Sequence, residues 1–342
     1  MLKVVGPSHH FDYYLNDLTT PSLVTRVPLP KISEAPLKLE VIGFREGPLV
    51  QEDAVPIQAA SALHSILFTL SWVNKIRRVE RWAVTDTLKV SPRAGRQFNA
   101  YYDRFGIHFF YDVHPITRKV VYASDSTEAI NHEFGHAILD SFRPDLWDLD
   151  KFEIFCFHEA FGDIISMLSS MHHTKVIEYA LQETDGDLSR SNVISRMVEE
   201  LGNAICCKDK NGGRPKNCLR DAVDEFNYAN PDTLPAKCSF NVLGREAHNF
   251  SRVYSGAWYK LFLEVSNRYH KGDDVESVIK ARDVMARLSL LSLNHIEKRG
   301  DIYHAAAVAL LMTDMENHGG EHVDLIRRVF TQRSILPVKI LY

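Results

Sequence analysis

The segment His132-Glu133-Phe134-Gly135-His136 sets two imidazoles four residues apart with a carboxylate between them. On a helix that spacing puts both rings on one face, a turn apart, where they reach a single metal ion while the glutamate stands beside it. Two histidines are too few for catalytic zinc, which commonly has three protein ligands and a water. The next helical stretch supplies the third: it is apolar nearly all round (Phe152, Phe155, Phe157, Phe161, Ile164, Ile165, Met167, Leu168), yet it carries Glu159 and Asp163. Ionised carboxylates are costly to bury unless each is paired or metal-bound. Glu159 is therefore read as the third ligand, and Asp163, one turn on, as the acceptor that fixes a histidine's tautomer and orientation. The chemistry of such a set is metal-assisted hydrolysis, with Glu133 taking the proton of the attacking water.

These residues need a helix at 125–142, which Asp125 and Glu128 begin as a capping pair and Arg143-Pro144 ends. Its buried stripe is Ile130, Phe134, Ala137 and Ile138, leaving the motif on a polar, cleft-facing side. The first forty or so residues, rich in proline and short β-branched runs, read as extended chain and edge strands. A helix is expected at 57–76, then three strands of one sheet at 97–102, 106–111 and 119–122. After Ser124 the pattern is helical, at 150–171, 192–204, 247–269, 275–295, 302–317 and 322–331. A sheet followed by helices is an α+β plan. At 342 residues the chain exceeds the usual single-domain size. Two lobes are expected: 1–143, α+β and ending in the motif helix, and 144–342, mostly helical and carrying Glu159 and His248.

The pattern resembles the thermolysin-like neutral zinc metallopeptidases, the gluzincins: HExxH, then some twenty residues on a glutamate with an aspartate four later. The resemblance covers about 97–336. It implies that Asn99 and Ala100, in Asn99-Ala100-Tyr101-Tyr102, belong to an edge strand that binds peptide backbone. Leu219-Arg220, with Tyr228-Ala229-Asn230-Pro231-Asp232, is similar to the family's arginine segment and implies that Arg220 holds a substrate carbonyl. His248, followed by Ser255-Gly256 and Tyr259, implies the histidine that stabilises the oxyanion. The implied activity is zinc-dependent endopeptidase; a zinc aminopeptidase of the same superfamily, or a zinc-holding protein without turnover, are the alternatives. Three positions depart from the pattern. His158 stands where the family usually has asparagine, Leu243 stands where it has the acidic partner of the catalytic histidine, with Glu246 nearest, and Ser169-Ser170 lacks an acidic residue of its calcium site. Zinc is thus the implied cofactor, structural calcium lacks a ligand, and Asp185-Gly186-Asp187 reads as a solvated turn.

The resemblance implies a peptide or protein substrate, and charge and composition give no reason for nucleic-acid or membrane partners. A net charge of -4 and no Lys/Arg block give no footprint for nucleic acid, and no apolar run is long enough to insert in a membrane. The first eighteen residues lack a signal peptide's apolar stretch, which favours the cytoplasm, whereas the resemblance implies secretion. Cys206, Cys207, Cys218 and Cys238 crowd one region without a Cys-x-x-Cys pair, so a disulfide closing the 208–217 loop and free thiols both stay open. The segment 207–217 reads as a mobile surface loop. His172-His173, and His318 with His322, read as solvated helix ends.

Overall fold

The computed structural model describes residues 9–49, 54–207, 218–272, 274–298 and 300–338. Strands dominate the first third and helices the rest, a mixed α+β build. Strands β1 (His10–Tyr14) and β2 (Val24–Pro28) pair antiparallel; β3 (Leu39–Val41) and the largely buried helix α1 (Ala54–Ile76) follow. Strands β4 (Leu88–Ser91), β5 (Ala100–Tyr102) and β6 (Gly106–Phe109) join β3 in a sheet of order β3-β4-β6-β5. The β3/β4 and β4/β6 pairs are parallel and β6/β5 is antiparallel, which leaves β5 on an edge.

The expectation of one sheet reaching 119–122 fails. Strands β7 (Tyr111–Val113) and β8 (Val120–Tyr122) form their own antiparallel ribbon. The turn between them is closed locally: His114 N–H donates to the Lys119 carbonyl at 2.8 Å, and the His114 ring takes the N–H groups of Ile116 and Thr117.

Helices α2 (Thr127–Phe142), α3 (Pro144–Trp147), α4 (Phe152–Met171) and α5 (Thr174–Glu183) come next. The short pair β9 (Arg196–Met197) and β10 (Arg220–Asp221) flanks α6 (Glu199–Cys206). Helices α7 (Ala247–Tyr269), α8 (Asp274–Leu291), α9 (Ile302–His318) and α10 (Val323–Gln332) complete the described chain. Helix α7 has the bounds expected of it. The helix expected over 192–204 is shortened, because Asn192 folds an Asx turn onto Ile194 N–H and residues 196–197 pair across to 220–221 before α6 begins. Helices α3 and α5 were not foreseen. The expected loop over 208–217 lies outside the described residues; Cys207, Cys218 and Cys238 carry free thiols. Among the described residues no helix is long and apolar enough to cross a membrane.

Helix α2 lies at the centre, packed along α4 and against α1 and β5. Every residue from Thr127 to Asp140 is buried, so it has no broad polar face. Its cap is Ser126, which accepts from Ala129 N–H; Asp125 instead accepts from Gln58. Glu128, expected in the cap, is buried and accepts from Val198 N–H and the Asn16 amide, both at 2.7 Å. The N-terminal segment is strapped over this end. Thr127 bonds the carbonyls of Tyr14 and Asn16, Ser126 bonds Asp17, and the Asn16 amide also reaches Ser170 and the Val193 carbonyl. Thr69 of α1 donates to Asn131 at 2.9 Å and touches Ser169 at the same distance, pinning three helices beside His132.

Histidines 172 and 173 are not solvated ends. His172 stacks on Trp72 (centroids 4.6 Å) and His173 on Phe68 (4.3 Å), while His64 lies 4.5 Å from Tyr13. Burial pushes each of these imidazoles down to about 4 from the usual 6.5. The fold holds them neutral and the unfolded chain charges them below 6.5, so their contribution is present above that pH and is lost as pH falls towards 4. Carboxylates such as Asp17, raised by burial, act in the opposite sense, so a difference measurement isolates the histidines. His172→Gln/His173→Gln is expected to flatten the fall of the urea midpoint between pH 6.5 and 4 relative to the parent. An unchanged slope refutes the assignment.

Candidate metal centre

Two glycines set the distance between the helices that carry the site. A Cβ on Gly135 of α2 would meet the Gly162 Cα of α4 at 2.9 Å, and one on Gly162 would meet His132 Cε1 and Nδ1 at 2.8 Å. Only at this spacing do side chains from both helices share one point. Gly135 was visible inside the motif and Gly162 three residues after Glu159; an isolated glycine in a helical run marks close backbone approach. That signal was available in the sequence and was missed.

His132, Glu133 and His136 come from α2, and Glu159 and Asp163 from α4. His132 Nδ1 lies 3.0 Å from Asp163 Oδ1, and a carboxylate only accepts, so Nδ1 carries the proton. A 3.5 Å approach of Arg220 to the same nitrogen is longer, and both groups are donors, so it is a close pass. The lone pair on His132 Nε2 then faces Glu159 Oε2 at 3.2 Å, and that buried oxygen has no hydrogen-bond partner. His136 Nε2 is 3.7 Å from the other Glu159 oxygen. Acceptors facing one another in a buried space call for a cation between them.

In the bare residues a second proton on His132 fills that place. Burial lowers the His132 imidazole, but the Asp163 and Glu159 carboxylates outweigh it and push the group up to about 10. Burial would raise Glu159, yet the charge of His248 and the hydrogen bond and charge of His132 hold it well below its usual range. His136 is pushed down to about 3 by burial, which leaves a neutral ring with a free lone pair. The three ligand atoms lie within 4.8 Å of one another. Two imidazole nitrogens and one carboxylate oxygen, with Asp163 orienting the first ring, form a donor set that fits zinc.

The remaining expected residues fall as follows. Glu133 lines the cleft; burial pushes its carboxyl up to about 7, His132 opposing and Glu159 adding. His248 stands in the first turn of α7 with its side chain 57% exposed; Nε2 is 3.4 Å from Glu159 and Nδ1 is 2.6 Å from Glu246 Oε1. Glu246, which also caps α7 through Asn249 N–H, is thus the carboxylate beside His248. Arg220 lines the cleft but gives Nε and a terminal nitrogen to Asp163, at 2.9 and 2.6 Å. Asp163 therefore anchors both the imidazole and the guanidinium, a double role not read from sequence. Asn99 and Ala100 line the same cleft at the edge strand β5.

Other segments of the pattern do not reach the site. Tyr228 donates to Glu153, and Tyr259 to the Leu188 carbonyl. The departure at His158 has a visible consequence. His158 stacks beside His136 (centroids 5.9 Å), edge-on to Trp147, and neither of its nitrogens nor His136 Nδ1 has a hydrogen-bond partner. His132 is thus oriented by hydrogen bonds and His136 by ring packing.

The cleft has a volume of about 690 Å³. Phe98, Asn99 and Ala100, the apolar Val198, Leu201, Ile205 and Leu219, and Phe240, His248 and Arg252 line it. No protein-family model matches this chain, and no curated protein does.

Proposed function

We propose that the chain is a zinc-dependent metalloendopeptidase of the thermolysin-like, gluzincin kind, with an α+β lobe over 1–143 and a helical lobe over 144–342. The observation that carries this reading is the meeting of His132, His136 and Glu159 beside a cleft that His132, Glu133 and His248 line. Zinc held by His132, His136 and Glu159 would supply the Lewis acidity that makes water nucleophilic near neutral pH. Glu133 takes the proton of that water and passes it to the leaving amine, first as general base and then as acid. His248, kept in orientation by Glu246, donates from Nε2 to the oxyanion of the tetrahedral intermediate. Arg220 keeps Asp163 ionised and also faces the substrate carbonyl.

An extended peptide fits beside β5, whose free edge offers main-chain partners at Ala100, with Asn99, whose carbonyl accepts from Phe110 N–H, lining the cleft next to it. The apolar lining of Val198, Leu201, Ile205 and Leu219 suits a bulky apolar side chain next to the scissile bond. The Glu246–His248 pair weakens the reading of a zinc protein without turnover, which rested partly on Leu243. Peptides blocked at both ends provide the test. Internal cleavage that stops with a chelator and returns with zinc supports an endopeptidase; cleavage confined to free amino termini makes the chain an aminopeptidase.

A further inference from the structure

The turn from α9 into α10 brings Asp314, His318 and His322 together, away from the cleft. Asp314 and His318 are one helical turn apart at the end of α9, and Gly319 (φ 61°) and Gly320 (φ 84°) reverse the chain so that His322 returns to them. Asp314 and His322 are fully buried, and the His318 side chain is 14% exposed. Asp314 Oδ2 accepts the His322 N–H at 2.7 Å, while Oδ1 lies 2.8 Å from His322 Nδ1 and 3.3 Å from His318 Nδ1. That His318 nitrogen is buried and has no hydrogen-bond partner.

The proton inventory sharpens this. The Tyr269 hydroxyl has one proton, and the Glu321 carboxylate, 3.0 Å away, only accepts. The 2.8 Å contact between the same hydroxyl and His322 Nε2 therefore has the imidazole as donor. His322 Nδ1, 2.8 Å from an Asp314 oxygen that only accepts, carries a proton whose place a bound ion would take, and His318 Nδ1 approaches the same oxygen.

We propose that Asp314, His318 and His322 form a second metal site, for a divalent transition ion of the zinc class, which clips α10 to the end of α9. Ligand atoms of a tetrahedral zinc sit roughly 3.3 Å apart at the usual bond lengths, so the His318 approach already matches and the His322 contact opens by about half an ångström. Two imidazoles and one carboxylate suit zinc, cobalt or nickel over calcium or magnesium. The Tyr269 contact orients the His322 ring from its far side, as partners of metal-bound histidines do. None of the three residues lines the cleft, and the role of the site is structural.

The test uses the full chain with His136→Ala, which weakens the cleft centre, and zinc as the probe. One equivalent of zinc by calorimetry and a raised Tm are expected; in His136→Ala/His318→Ala both are lost. His318→Ala alone is expected to keep its peptidase activity, which separates this site from the cleft. Should the double variant fail to fold, cobalt(II) added to His136→Ala replaces it as the readout, and tetrahedral d–d bands are expected. Absence of zinc uptake by His136→Ala, an unchanged stoichiometry on removing His318, or no cobalt spectrum overturns the proposal in favour of a hydrogen-bonded Asp–His network.

Discussion

Glu133→Gln is expected to leave zinc bound at His132, His136 and Glu159 and to lower peptide hydrolysis by about 10²–10⁴, the range that a positioned general acid–base supplies. The amide keeps the size of the side chain and its place on the cleft wall, so the loss falls on turnover and substrate binding stays near its parent value. The carboxyl is suited to the task by its surroundings: burial raises it towards neutrality, and it faces the cleft beside the residues that gather the metal. Zinc content by mass spectrometry and kcat on a blocked peptide read the two halves separately. A variant with full zinc and full turnover removes Glu133 from the chemistry.

Gly162→Ala is expected to be as damaging without altering any ligand. Its methyl would sit 2.8 Å from two atoms of the His132 ring and 3.0 Å from the His132 carbonyl, closer than real Cβ contacts come. The ring is held by Asp163 on one side and α2 is buried along its length, so neither gives way freely. The strain is relieved by rotating His132 off the metal or by parting α2 from α4. Zinc affinity is expected to fall by at least the roughly 10–100-fold typical of losing a partner that orients a ligand. Competition with a chromophoric chelator measures this, and an alanine variant with parental affinity contradicts the close-approach account.

The grouping of His132, His136 and Glu159 was legible because it rests on local geometry: two histidines a helical turn apart, and two carboxylates a turn apart in a helix otherwise fit only for burial. What escaped depends on partners distant in sequence. Asp125 looked like the cap of α2, but Gln58 holds it and Ser126 does the capping. Residues 196–197 carried a helical pattern and became a strand because 220–221 pair with them. His172, His173 and His322 looked solvated, and the aromatic rings that cover them come from α1 and α7. Glu128 shows the same thing: it and Ser170 meet the Asn16 amide, delivered by an N-terminal segment that no local motif links to α2 and α4. A donor group thus answers the buried Glu128 carboxylate, and the short-range pattern held no trace of it.

Anomalous diffraction at the zinc edge, from crystals grown with zinc, puts the question of the cleft centre to the molecule itself. A peak about 2.0–2.2 Å from His132 Nε2, His136 Nε2 and a Glu159 oxygen is the predicted result. A zinc-saturated crystal with no density among those three side chains, whatever appears elsewhere in the chain, would contradict it.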